Sequence, residues 1–264
     1  MPVKIGFFQF APSIGNVDHN RARLVEALLQ TDADLLVAPE LSVSGYYFSS
    51  TAQARKLAEP IPGPTTDALS EASAKSGCTI VTGIAELAGE QLFNSAVVIG
   101  PEGIIGTYRK IHLFNEETLH FTPGRDGFFS FDLKGVKIGV LVCFDHMFPE
   151  AARSLALQGA QIICHPSNLV LPEYGQLTSR VRAFENRMFW VLTNRWGTET
   201  VGKKSLTFTG TSQVVNPRGR ILIRAETAGD EISAVEVDPK EALDKNITEY
   251  NHLLNDRRPE FYFT

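Results

Sequence analysis

The chain has 264 residues, 43% of them hydrophobic and 21% charged, enough to bury a sizeable core as one large domain or two small ones. Its formal net charge of −5 argues against a general nucleic-acid or anionic-membrane surface and leaves a small molecule or a protein as partner. Three cysteines do not form a disulfide framework and suit a reducing compartment. No apolar run reaches the roughly 18 residues of a membrane span, and the start lacks a secretory pattern, so the cytoplasm is the expected location.

In chain order, short runs rich in Val, Ile and Phe predict about a dozen strands: 3–10, 35–38, 79–85, 95–99, 104–109, 128–131, 136–142, 160–165, 189–194, 213–216, 221–224 and 232–237. Between them, Asp18 is placed to cap a helix striped by Leu24, Val25, Leu28 and Leu29. Thr65 or Thr66 is placed to cap a second that ends at Gly77. A third starts at Pro149 and ends at Gly159, and Leu177, Val181, Phe184 and Met188 stripe a fourth. Pro101 to Gly103 and Pro217 to Gly219 read as hairpin turns. With no repeat, low-complexity segment or linker, the reading is a single domain over 1–264 whose tail, 246–264, ends in Phe261, Tyr262 and Phe263 and docks on a surface.

Cys143 closes an apolar run and precedes the helix at Pro149, so it sits at the carboxyl end of a strand, where open α/β sheets bind ligands. A helix N-terminus adds thiolate character, although a lone cysteine is most often a small buried hydrophobe. Three partners are conceivable: His146 nearby, His165 farther along, or a distant carboxylate. Glu40 and Lys110 also end strands, and singly each reads as a solvated or capping charge.

Taken together and in order, Pro39-Glu40-Leu41, Tyr108-Arg109-Lys110-Ile111-His112 and Cys143-Phe144-Asp145-His146 resemble the nitrilase superfamily of carbon-nitrogen hydrolases. The likeness runs from Phe8-Gln9 through Ser44-Gly45-Tyr46, Phe121 to Gly124 and His165 to Asn168, on to Asp256 to Tyr262. It implies an α/β fold, a four-layer αββα sandwich of two mixed sheets of about six strands. It further implies a Glu-Lys-Cys triad of Glu40, Lys110 and Cys143, with Glu117, or its neighbour Glu116, as a second carboxylate, and homodimers or larger homo-oligomers whose tails cross over. Phe144, Asp145, His146, Tyr46 and Asn168 would then line the substrate pocket.

Nitrilases of the superfamily usually carry Cys-Trp-Glu, whereas this chain has Cys143-Phe144-Asp145, the pattern of amidases and carbamoyl amidases. The expected reaction is release of ammonia from a small amide or carbamoyl compound through a cysteine thioester, with no cofactor. Hydrolysis of a small nitrile is the alternative, and a noncatalytic binding protein of the same fold is a third reading. His112, His120, His146 and His165 follow no metal-binding spacing, and no glycine loop cradles phosphate.

Overall fold

A computed structural model describes residues 1–262. Phe263, at the end of the expected aromatic tail, lies outside the described residues. Two six-stranded mixed sheets pack face to face, with helices on both outer surfaces, in the four-layer αββα arrangement.

The first strand shows why. In β1 (Val3–Gln9), Val3, Ile5 and Phe7 point into the core between the sheets, while Phe8 and the following Phe10 point out onto helices α1 (Val17–Gln30) and α3 (Pro64–Ser76). A strand buried on both faces reads as a nearly unbroken apolar run, as β1 does. It is joined in the first sheet by β2 (Leu35–Val37), β3 (Thr79–Ala88), β4 (Gln91–Gly100), β5 (Gly103–Arg109) and β14 (Glu231–Val237), in the order β14-β1-β2-β3-β4-β5.

The second sheet has the order β13-β12-β9-β8-β7-β6, built from β6 (Ser130–Leu133), β7 (Val136–Val140), β8 (Ile162–Ser167), β9 (Phe189–Asn194), β12 (Gln213–Val215) and β13 (Ile221–Arg224). Its outer face is covered by α5 (Pro149–Leu157) and α6 (Tyr174–Asn186). In each sheet three neighbouring strands run parallel, β1-β2-β3 in one and β7-β8-β9 in the other, and the remaining pairings are antiparallel.

Several expectations need correction. Helix α1 starts after Asn16, and Asp18 sits inside its first turn, where its charge meets the positive end of the helix dipole. Helix α3 starts after Gly63 with Pro64 in its first turn, and Thr66 Oγ1 accepts the Gly63 N–H from inside. Gly77 closes it at φ +75°, as the sequence implied. The short helices α2 (Thr51–Leu57) and α4 (Glu117–His120) and the hairpin β10 (Trp196–Val201) and β11 (Lys204–Thr209) were not anticipated, because their mostly polar residues carry no apolar run.

The stripe on α6 faces the opposite way to a core stripe. Leu177, Val181 and Phe184 are exposed, and Gln176, Ser179, Arg182 and Asn186 are buried; Met188 lies beyond the helix. Polar groups sit inside because they have partners there: Gln176 Nε2 donates to Thr211 Oγ1, and Arg182 Nη1 pairs with Glu185.

Candidate active site

Three strand ends converge. Glu40 lies three residues past β2, Lys110 directly follows β5, and Cys143 lies three residues past β7. Glu40 and Lys110 are wholly buried and Cys143 nearly so.

Glu40 is delivered by a tight loop over β3. Leu41 has φ +46°, and a Cβ on Gly83 would stand 2.2 Å from the Leu41 nitrogen, so only glycine lets the strand approach that closely. The Ser42 N–H donates to Gly83 O and the Gly83 N–H to Pro39 O, at 3.1 and 3.0 Å, tying the loop down.

Lys110 Nζ donates to Glu40 Oε1 at 2.6 Å and to both oxygens of Glu117 at 2.8 Å. Burial alone would lower the lysine's pKa, but Glu117 and Glu40 outweigh it and hold the ammonium above its ordinary range. Glu117 has its needs met from all sides: the Tyr46 hydroxyl donates to Oε1 at 2.7 Å, and the Phe114 N–H donates to Oε2 at 3.2 Å. Of the two glutamates left open by the sequence, Glu117 reaches Lys110; Glu116 is partly exposed and pairs with Lys204.

Glu40 differs. Asn94 Nδ2 joins Lys110 on its Oε1, at 2.7 Å, and its Oε2 is buried without a partner. Burial pushes its pKa up, the Lys110 ammonium pulls it down and Glu117 pushes it up again, with a net rise. Burial, with Glu40 next, also raises the Cys143 thiol well above its ordinary pKa, so the resting sulfur is protonated.

Cys143 opens a 3-10 turn, Cys143–Met147, and has φ +44°, a backbone conformation that costs a non-glycine residue about 1–3 kcal/mol. Its neighbours hold it. His165 Nε2 donates to Cys143 O at 2.9 Å, and Trp190 Nε1 donates to His165 Nδ1 at 3.1 Å, which puts the imidazole proton on Nε2. Burial lowers the His165 pKa to about 4, and that ring is committed to the backbone.

His146, the other candidate base, donates through Nδ1 to Thr178 Oγ1, whose own proton goes to Tyr174 O. Burial lowers its pKa to about 2, so the ring is neutral. It lines a cavity of about 50 Å³ beside Cys143 together with Phe114, Phe144, Asn168 and Leu169.

Asp145 is set back from that cavity, contrary to its assignment as a pocket residue. It is fully buried and accepts from Val142 N–H at 2.9 Å, Tyr108 hydroxyl at 2.8 Å and His112 Nδ1 at 2.8 Å, which fastens the Cys143 turn to the end of β5. Tyr46 lines a second cavity of about 240 Å³, which meets the first along Phe114, Val170 and Leu171. Asn168 Nδ2 donates to Glu40 O at 2.8 Å, leaving its Oδ1 without a partner.

Sequence reasoning missed Asn94 and the Arg195–Glu199 ion pair. Asn94 interrupts the apolar run of β4, the one signal that could have flagged it. Glu199, nearly buried in the unanticipated hairpin, accepts the Tyr46 and Tyr47 N–H groups on Oε2 at 3.1 and 2.7 Å and so braces the loop that carries Tyr46.

A nitrilase of Pyrococcus abyssi is 41% identical over 265 residues, covering 99% of both chains. An (R)-stereoselective amidase of Pseudomonas sp. is 36% identical over 261 residues, 97% of this chain and 92% of that one. The crystal structure of a carbon-nitrogen hydrolase from Helicobacter pylori superposes with a TM-score of 0.86 at 28% identity, covering 99% and 97% of the two chains. The family profile described as carbon-nitrogen hydrolase matches residues 4–243, and the conclusion is plain: the chain belongs to the carbon-nitrogen hydrolase family of the nitrilase superfamily.

Proposed function

We propose that Cys143 is the nucleophile, Glu40 the general base and acid, and Lys110 the oxyanion-stabilising cation in hydrolysis of a small amide to a carboxylic acid and ammonia. The observation that carries this reading is the asymmetry of Glu40: one oxygen holds Lys110 and Asn94, and the other is buried and free. That free Oε2 takes the thiol proton as sulfur adds to the carbonyl carbon. Lys110 and the Phe144 N–H, which as an early amide of the Cys143 turn has no intrahelical partner, hold the oxyanion. Collapse breaks the C–N bond; Glu40 returns its proton to nitrogen, and ammonia leaves a thioester on Cys143. Glu40 then takes a proton from water, hydroxide adds to the thioester, and the thiolate leaves and is reprotonated. Glu117 is a positioning residue that keeps Lys110 charged and aimed.

The same thiol adds to a nitrile carbon, and likeness to the Pyrococcus abyssi nitrilase supports nitrile hydrolysis as a second reading. Measured ammonia release from amide, carbamoyl and nitrile panels decides between them. Turnover of nitriles alone overturns the amide reading, and full turnover by Cys143→Ala overturns the covalent mechanism.

Residues 1–264 are read as one catalytic unit that works as a homodimer. The exposed stripe of Leu177, Val181 and Phe184, with Phe261 and Tyr262 of the tail also exposed, supports a self-association surface. Among the described residues no helix is long and apolar enough to cross a membrane, and three free, buried cysteines support a cytoplasmic setting.

A further inference from the structure

Among the described residues, the walls around Cys143 contain no unpaired charge. Phe114, Phe144, Met147, Leu169, Val170 and Leu171 form the apolar part of the 50 Å³ cavity. The polar side chains among them are His146, Asn168 and Tyr174, and the His146 ring is neutral. Arg182, a cation behind this wall, is turned away: it donates to the carbonyls of His146 and Met147 and pairs with Glu185.

The adjoining 240 Å³ cavity repeats the pattern. Its two carboxylates are Glu117, bonded to Lys110, and Glu116, bonded to Lys204. Its imidazole, His120, is bonded to Thr51 and has its pKa lowered by burial. A cationic or anionic substrate tail entering either cavity would lose its water and meet no free opposite charge among the described residues. Among the polar side chains lining the smaller cavity, Asn168 has its Oδ1 buried without a partner, a neutral acceptor suited to an amide N–H.

We propose that the group attached to the reacting carbon is small, uncharged and apolar, and that Asn168 Oδ1 accepts an N–H of an unsubstituted amide. This rests on the amidase reading and narrows it. Carbamoyl compounds of diamines or amino acids, whose free ends are charged, are thereby placed outside the substrate range.

The test compares kcat/KM of the full chain for pentanamide with two amides of similar size, the cationic 4-aminobutanamide and the anionic succinamate, by ammonia release. The expected result is a preference for pentanamide of at least about 100-fold over each, since an unpaired charge costs several kcal/mol to bury. Turnover of either charged amide within tenfold of pentanamide overturns the inference and leaves the amidase reading intact. If all three amides are inert and nitriles react, the amidase reading fails, and pentanenitrile against 4-aminobutanenitrile tests the charge preference by the same criterion.

Discussion

The two sheets are built alike and finish differently. In both, three parallel strands are flanked by one antiparallel strand on one side and two on the other, so that β2 corresponds to β8 and β1 to β7. At the end of β2 stands Glu40; at the matching end of β8 stands Asn168, which donates to Glu40 O. The first sheet supplies the Lys110 side chain and its two carboxyl partners, Glu40 and Glu117. The second supplies a protonated thiol on a strained turn held by the neutral His165 and by Asp145. The division teaches how the resting site spares its sulfur a buried charge: Lys110 finds its counter-groups within one half, and charge reaches the sulfur only when its proton crosses to the other.

Removing either side of that crossing has the largest expected effect. Cys143→Ala and Glu40→Gln each lower kcat by about 10⁴-fold, the upper range for loss of a nucleophile's base, with folding monitored by thermal melts. Glu117→Gln lowers kcat by about 10²- to 10³-fold, because Lys110 loses one of its two counter-charges and its aim. The pH profile sharpens the contrast. Glu40 must be ionised to act, its pKa is raised, and activity therefore falls on the acid side at a pH above the ordinary carboxylate value of about 4.3. Glu117 pushes the Glu40 pKa up, so Glu117→Gln moves that acid limb to lower pH; a limb that stays in place refutes Glu40 as the titrating base.

The second sheet should respond without any such shift. His165→Gln and Trp190→Phe loosen the clamp on Cys143 O, releasing a backbone held at a cost of about 1–3 kcal/mol, and lower kcat by about 10- to 100-fold. Their acid limbs stay where the parent's is, since neither residue exchanges a proton with the thiol. A displaced limb in either variant would bring His165 back as a base.

How far the sequence reveals this division depends on the kind of signal. Strand ends are marked by apolar runs, so Glu40, Lys110 and Cys143 were each legible as residues at the carboxyl end of a strand. Their convergence was not, because it depends on two sheets packing face to face; likeness to the nitrilase superfamily supplied it. The matching of the two halves left no trace as a sequence period, since strand order and direction repeat and side chains do not. Asp145 was misjudged because proximity to Cys143 in sequence says nothing of direction, and its carboxylate turns back into the Val142 N–H. The stripe of α6 was legible as a periodicity, yet amphipathic spacing alone does not say which face turns inward when polar side chains find buried partners. Glu199 lies in a strand of alternating polar residues and had no local signal at all.

That residue tests a longer reach of the first sheet's network. Glu199 holds the Tyr46 and Tyr47 amides, and the Tyr46 hydroxyl holds Glu117. Glu199→Gln leaves Arg195 buried without its ion pair, a change that typically costs about 3–5 kcal/mol in unfolding free energy. Catalysis should fall about tenfold through Tyr46, and Glu199→Asp should recover part of both losses. Loss of stability with unchanged kcat would confine Glu199 to a role in folding.

The smallest effect is expected at the residue that proximity to Cys143 made most suggestive. His146 is bonded to Thr178 and neutral throughout the working range, because a pKa of about 2 leaves it nothing to gain or lose between pH 4 and 9. His146→Ala removes a wall of the cavity beside the sulfur and leaves Glu40, Lys110 and the thiol in place. Measured kcat for a short amide should stay within about tenfold of the parent, kcat/KM should rise for longer or branched acyl chains relative to short ones, and the two pH profiles should superimpose. A loss as deep as that of Glu40→Gln, or a lost pH limb, would move the proton transfer from the first sheet to the second and undo the separation of charge on which the mechanism rests.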